Sequence, residues 1–188
     1  MKSYLLGAWN VFDPVYYSFT RLRYVRDQEQ KPTLFRVRLT RYKGRSTILK
    51  DGTIIHKNDL LIKIHLHNVK IMNELYAVTS DTKRAVYIYH MVKRAMPVLA
   101  EYVRKHPRYG EIKGIIGITT LHKGSTRLGF DNVSIHNALY RSYKRLTFTP
   151  INYIASSSMH HEPVYLFMSK DELVKRYNGK ARSQYHEG

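Results

Sequence analysis

The chain has 188 residues, of which 43% are hydrophobic, 32 are Lys or Arg and 14 are Asp or Glu, for a formal charge of +18. That apolar content supports a real core in one domain and excludes global disorder. The absence of cysteine excludes disulfides, thiolate zinc fingers, thiol catalysis and iron–sulfur clusters, while the charge calls for an anionic partner.

No segment reaches the roughly 18 uninterrupted apolar residues of a membrane span. The N-terminal stretch is broken by Asp13 and Pro14 and has no small-x-small cleavage site, so it reads as structure and not as a signal peptide. A cytoplasmic location is the default, with peripheral membrane contact as a variant. Leu5, Trp9, Phe12, Tyr16, Phe19 and Leu22 recur at helical spacing. A core-facing helix is the expected reading; a helix lying in a membrane interface is the alternative. After a polar loop over Asp27–Pro32, Thr33–Tyr42 alternates. Phe35, Val37 and Leu39 fall on one face, with Arg36, Arg38 and Arg41 largely opposite.

Asp51-Gly52 and Lys57-Asn58-Asp59 are turn signals around a short β-rich run. Leu60–His67 comes next with a period of two: Ile62, Ile64 and Leu66 alternate with Lys63, His65 and His67. This strand is expected to pair with Thr33–Tyr42, putting Arg36, Arg38, Lys63, His65 and His67 on one polar sheet face, with Asn68 at the strand end. A short helix is expected over Val69–Tyr76. Ser80 is an N-cap for an amphipathic helix running to His106, with a bend expected from Pro97. Arg84, Lys93, Arg94, Arg104 and Lys105 are assigned to its solvated face, and Ala85 and Ile88 open its apolar stripe.

Ile112–Leu121 is nearly continuously apolar and reads as a central buried strand, with Gly114 and Gly117 allowing close approach. The loop His122–Phe130 presents His122, Ser125 and Arg127 after that strand, with free backbone N–H groups expected, as an anion or sugar site. It lacks the ending of a Walker loop. Asp131–Ile135, Phe148–Ala155 and Val164–Met168 read as strands and Asn137–Leu146 as a basic helix. Ser169 and Glu172 form a capping box for a helix over Lys170–Tyr177. The expected architecture is α+β: a mixed or antiparallel sheet of about five to six strands with helices mainly on one face. One domain covers residues 1–179, with a loose polar tail over 180–188.

The strand ending His65-x-His67-Asn68, the segment Arg127-Leu128-Gly129-Phe130 within GITTLHKGSTRLGF, and the ending VYLFMSKDELVKRYN resemble, in this order, the YkoP-like family. That family includes stand-alone proteins and C-terminal domains attached to polysaccharide deacetylases of Gram-positive bacteria. The resemblance implies a cell-envelope or glycan setting and brings no catalytic residues with it. A NodB-type deacetylase barrel needs an Asp-Asp pair for its metal, and this chain has none.

The leading functional reading is an accessory or binding domain for an envelope glycan or other polyanionic ligand, such as an anionic or amino-sugar polymer. Its candidate contacts are Arg36, Arg38, Lys63, His65, His67, Asn68, His122, Ser125 and Arg127. The alternative is a metal- or His-dependent enzyme on a glycan or phosphorylated substrate. His65 and His67 can face one metal, with a third ligand from His122, His160 or a carboxylate. With ten histidines in the chain such a pair is unsurprising, so no metal and no cofactor is assigned. A membrane surface is a further candidate partner. Nucleic acid is a third reading, on charge and 16 tyrosines without a recognisable binding motif.

Overall fold

A computed structural model describes residues 22–75, 78, 80–120, 122, 124–144 and 162–178. Its strands are β1 (Arg23–Arg26), β2 (Pro32–Arg41), β3 (Thr47–Ile48), β4 (Ile54–Ile55), β5 (Leu60–Leu66), β6 (Ile112–Thr119), β7 (Asp131–Ser134) and β8 (Val164–Ser169). Helix α1 spans Asn68–Leu75, α2 spans Asp81–Arg104, and a 3-10 turn covers Ser125–Leu128. Residues 138–144 form α3, and α4 spans Lys170–Tyr177. The chain is α+β, built on a mixed six-stranded sheet of order β1-β2-β5-β6-β8-β7, with β3 and β4 as a separate small hairpin. The expected N-terminal helix, the strand over Phe148–Ala155 and the polar tail lie outside the described residues.

Every neighbouring pair in the large sheet is antiparallel except β5 and β6. Two adjacent parallel strands need a crossover, and α1 with α2 supplies it. The pairing of β2 with β5 is in phase with both hydrophobic patterns. Phe35 faces Leu66, Val37 faces Ile64 and Leu39 faces Ile62, while Arg36 faces His65 and Arg38 faces Lys63. The apolar set joins Ile115 and Met168 in one buried cluster with Ile71 and Leu75 of α1, Met96, Leu99 and Val103 of α2, and Leu173 and Tyr177 of α4. These three helices therefore cover one face of the sheet.

The helices start where the sequence provides caps. Ser80 accepts from the Lys83 N–H at the start of α2, and Ser169 accepts from the Glu172 N–H at 2.9 Å at the start of α4. Asn137 Oδ1 accepts from the Tyr140 N–H at 2.8 Å at the start of α3. Helix α2 continues through Pro97 to Arg104. Its first turn differs from expectation. Ala85 is exposed, and Arg84 is buried, its Nε donating to the Val78 carbonyl at 2.6 Å. The Val78 carbonyl, which precedes α2, takes this bond, so a long polar side chain folds back toward the segment before the helix instead of pointing to water.

The second face carries a smaller apolar cluster of Tyr42, Leu49, Ile55, Leu61, Ile116 and Phe167. The β3–β4 hairpin covers this end. Asp51 Oδ1 accepts from the Thr53 N–H at 2.9 Å, and Gly52 has φ +85°, which glycine adopts without steric penalty. The turn is then fastened to the sheet: Asp51 accepts from the Ser169 hydroxyl, and the Lys50 N–H donates to Asp131 at 2.8 Å. Asn58, at φ 72°, closes the next turn and donates its N–H to the Tyr42 carbonyl at 2.8 Å.

Gly114 is required by close packing of strands. A Cβ there would lie 2.3 Å from the Met168 carbonyl oxygen, a backbone atom that cannot move aside without disturbing β8. Gly114→Ala is expected to destabilise the fold by about 1–3 kcal/mol, the range for overpacking a core. The measurement is denaturant unfolding, read as a lower midpoint at an unchanged slope. A wild-type midpoint would show that the β6–β8 contact yields.

Candidate functional site

Beyond the apolar cluster, toward the C-terminal end of β5, the second face becomes basic. Leu61, Lys63 and His65 succeed one another on this face, opposite Thr40, Arg38 and Arg36 of β2. Two basic pairs thus sit on adjacent rungs, Arg38 against Lys63 and Arg36 against His65. Like charges directly opposite repel, so the sheet holds this arrangement against its own electrostatics. Helix α3 adds Lys144, whose charge acts on both Lys63 and His65. The Lys144 ammonium also lies 5.5 Å from the Tyr140 and Tyr143 ring centres.

Arg36 is 3% exposed. Its guanidinium carbon lies 4.7 Å from the ring centre of Tyr24, and its Nη2 donates to the Tyr24 hydroxyl. The same ring meets His67 edge-on, with centroids 5.5 Å apart. Tyr24 on β1 therefore links Arg36 to His67. His65 and His67 share this side of β5, as the alternation requires. The expectation of a solvated polar face needs one correction: Arg36 is buried, and the Tyr24 side chain from the neighbouring edge strand packs against its guanidinium.

The cost of this packing appears in proton affinities. Burial pushes the Lys63 ammonium down to about 8, with Lys144 and Arg38 adding repulsion. Burial likewise pushes His65 down to about 3, with Lys63, Arg38, Lys144 and Arg36 all acting in the same direction. Lys144 is lowered by burial and by Arg38. Among the described residues, every charge acting on Lys63 and His65 is a cation, and the buried His65 Nε2 has no hydrogen-bond partner. At neutral pH the imidazole is uncharged amid ammonium and guanidinium groups. The arrangement is suited to receive negative charge.

A family model, the YkoP domain, matches residues 2–177 of the chain. The chain is also 47% identical over 184 residues to the uncharacterized protein YkoP of Bacillus subtilis (strain 168), covering 96% of this chain and 100% of that protein. The chain belongs to the YkoP family. No solved structure matches it. The basic sheet face is thus a feature of a YkoP domain.

Apart from Asn68, which follows His67, the remaining sequence candidates are built into a different part of this YkoP domain. Asn68 opens α1 directly after β5. Ser125 and Arg127 belong to the 3-10 turn after β6, flanked by Gly124 at φ +83° and Gly129 at φ +90°. Ser125 Oγ lies between the His122 carbonyl at 2.7 Å and Asn132 Oδ1 at 2.8 Å. The N–H groups of Ser125, Arg127, Gly129 and Phe130 all bond to carbonyls within the turn. Those donors, expected to be free, are therefore used to build the turn. Leu128 and Phe130 anchor it in the helix-side core, and the Arg127 carbonyl faces Arg176 of α4. Its described contacts are with β7 and α4, whereas Arg36, Arg38, Lys63 and His65 share the opposite sheet face.

Tyr24 and Lys144 are the members of the basic face that strand periodicity did not single out. Tyr24 belongs to a four-residue strand, too short to show alternation clearly. Lys144 is legible only as part of a basic helix; its approach to Lys63 is a matter of tertiary packing. Among the described residues, no three His, Asp or Glu side chains form a group able to hold a metal ion, and His160 lies outside them. No helix among the described residues is long and apolar enough to cross a membrane.

The His65 shift sets a pH window. Between its ordinary value of 6.5 and about 3 in the folded chain, the unfolded chain binds a proton that the folded chain does not. Stability is therefore lost as pH falls through this window, by at most about 1.4 kcal/mol per unit from this group. Lys63 acts between about 8 and 10.5, where stability rises with pH as its buried charge is relieved. Replacing His65 by Leu is expected to flatten unfolding midpoints between pH 6 and about pH 4 relative to wild type. Parallel profiles for the two proteins would show that His65 takes up its proton in the folded state.

Proposed function

We propose that this YkoP domain is a binding domain for an anionic envelope glycan or another polyanionic ligand, with Arg36, Arg38, Lys63, His65 and Lys144 as its anion receptor. The observation that carries this reading is the gathering of these basic groups on one sheet face, where burial alone would have favoured apolar residues. A bound phosphate or carboxylate supplies a counter-charge to Lys63, on which only cations act among the described residues. Charge-assisted hydrogen bonds from two planar guanidinium groups suit either oxyanion. Tyr24, stacked on Arg36, adds an aromatic surface of the kind that sugar rings pack against.

The net charge of +18 supports long-range attraction to such a polymer. The resemblance to domains found beside polysaccharide deacetylases supports the glycan as the source of the anion. Attraction to an anionic bilayer and a cytoplasmic position at the membrane surface fit the same charge. The metal-centred alternative is weakened by the cations around His65, which repel a divalent ion.

Binding is measured by co-sedimentation with phosphate-bearing wall polymer and by calorimetry with inorganic phosphate. Affinity is expected to fall as salt rises. Arg38→Gln and Lys144→Gln are each expected to weaken it by about tenfold, since one charge-assisted hydrogen bond contributes about 1.5–3 kcal/mol. Absence of binding at low salt would overturn the proposal. Binding of random DNA as tight as that of wall polymer would replace the glycan by nucleic acid.

A further inference from the structure

The basic face contains one group whose chemistry goes beyond holding an anion. Lys63 projects from the middle of β5 directly across from Arg38, with His65 next along the same face. On its other side lies Ile116 of β6, and beyond it Phe167 of β8, both buried. The amine is thus set between an apolar wall and a basic one. The charged groups facing it are Arg38 and, one rung on, Arg36 from β2, His65 from β5 and Lys144 from α3. A lysine desolvated next to other cations is an established arrangement for an amine nucleophile.

We propose that Lys63 forms an imine with a small anionic carbonyl compound whose charged group is held by Arg36 and Arg38; the proposal rests on the anion-receptor reading of this face. The ligand class is an open-chain sugar acid, a sugar phosphate or a 2-oxo acid, in which an aldehyde or ketone lies close to a carboxylate or phosphate. The neutral ε-amine adds to the carbonyl carbon, forming the C–N bond, and a proton passes from nitrogen to oxygen. Water then leaves from the carbinolamine and the C=N bond forms. No oxidant or reductant is consumed.

The lowered proton affinity of Lys63 supports this chemistry. With a value of about 8, roughly a quarter of the amine is neutral at pH 7.5, against about one part in a thousand for an ordinary lysine. His65 is uncharged under the same conditions, because its own value is pushed down to about 3, so it adds no further positive charge beside the amine.

The test uses pyridoxal 5′-phosphate as the anionic aldehyde and pyridoxal as its uncharged counterpart. Imines are trapped with borohydride and located by peptide mass mapping of the full-length protein. Lys63 is expected to be modified at least about tenfold faster than any surface lysine at pH 7.5, given its larger neutral fraction. The wild-type rate should rise with pH to a midpoint near the value of about 8, a readout that needs no variant. Inorganic phosphate should slow the reaction. Arg38→Gln should slow labelling by pyridoxal 5′-phosphate more than labelling by pyridoxal, and Lys63→Met should abolish the fast phase. Labelling spread evenly over the lysines, in a protein that still binds phosphate by calorimetry, would overturn the imine and leave the anion site standing. Even labelling without phosphate binding would overturn both.

Discussion

The in-phase register of β2 against β5 sets both the core and the basic face of this sheet. Side chains alternate along a strand, so one register sets apolar residues against apolar residues and, unavoidably, basic residues against basic ones. Phe35, Val37 and Leu39 meet Leu66, Ile64 and Ile62, and in the same ladder Arg36 and Arg38 meet His65 and Lys63. A slip by one residue would relieve the cations and send the whole apolar set to the wrong face. The hydrophobic gain from that set is collective and large, whereas the repulsion is local. The core therefore decides the register, and the basic face inherits it.

The second face consequently divides its labour along the strands. At the N-terminal end of β5, the β3–β4 hairpin lays Leu49 and Ile55 over Leu61, Ile116 and Phe167. Asp51 and Lys50 fasten that hairpin to β8 and β7. Toward the C-terminal end of β5, the same face turns basic and is flanked by Tyr24 from the edge strand and Lys144 from α3. Burial disfavours charge and neighbouring cations disfavour more of it. His65 answers by remaining neutral and Lys63 by holding its proton weakly.

The crossover between β5 and β6 explains why the two loop regions singled out by composition play different parts. Because these strands are parallel, the chain must leave the end of β5, build α1 and α2, and re-enter at the start of β6. Asn68 is drawn into the first helix, and the Gly124–Gly129 turn after β6 is folded on itself and bound to α4 through Arg176. Backbone donors that look available in a Gly- and Ser-containing loop are satisfied there by the turn's own carbonyls.

Much of the fold was legible in the residues themselves. Alternation in Thr33–Tyr42 and Leu60–His67 and the caps at Ser80 and Ser169 each specify a local structure. So do the turn residues Gly52 and Asn58 and the glycine at position 114, and these specifications agree with one another. The same alternation puts Arg36, Arg38, Lys63 and His65 on one face. Periodicity did not reveal that Arg36 is buried against Tyr24, that Arg84 folds back onto Val78 or that the charge of Lys144 acts on Lys63. It also did not reveal that Ser125 is committed to its own turn. Local pattern records which way a side chain leaves the backbone. What lies across from it, and hence its solvation and proton affinity, depends on segments distant in the chain. Which groups share a face follows from local alternation; which of them are removed from water and set against one another follows from the packing of distant strands and helices.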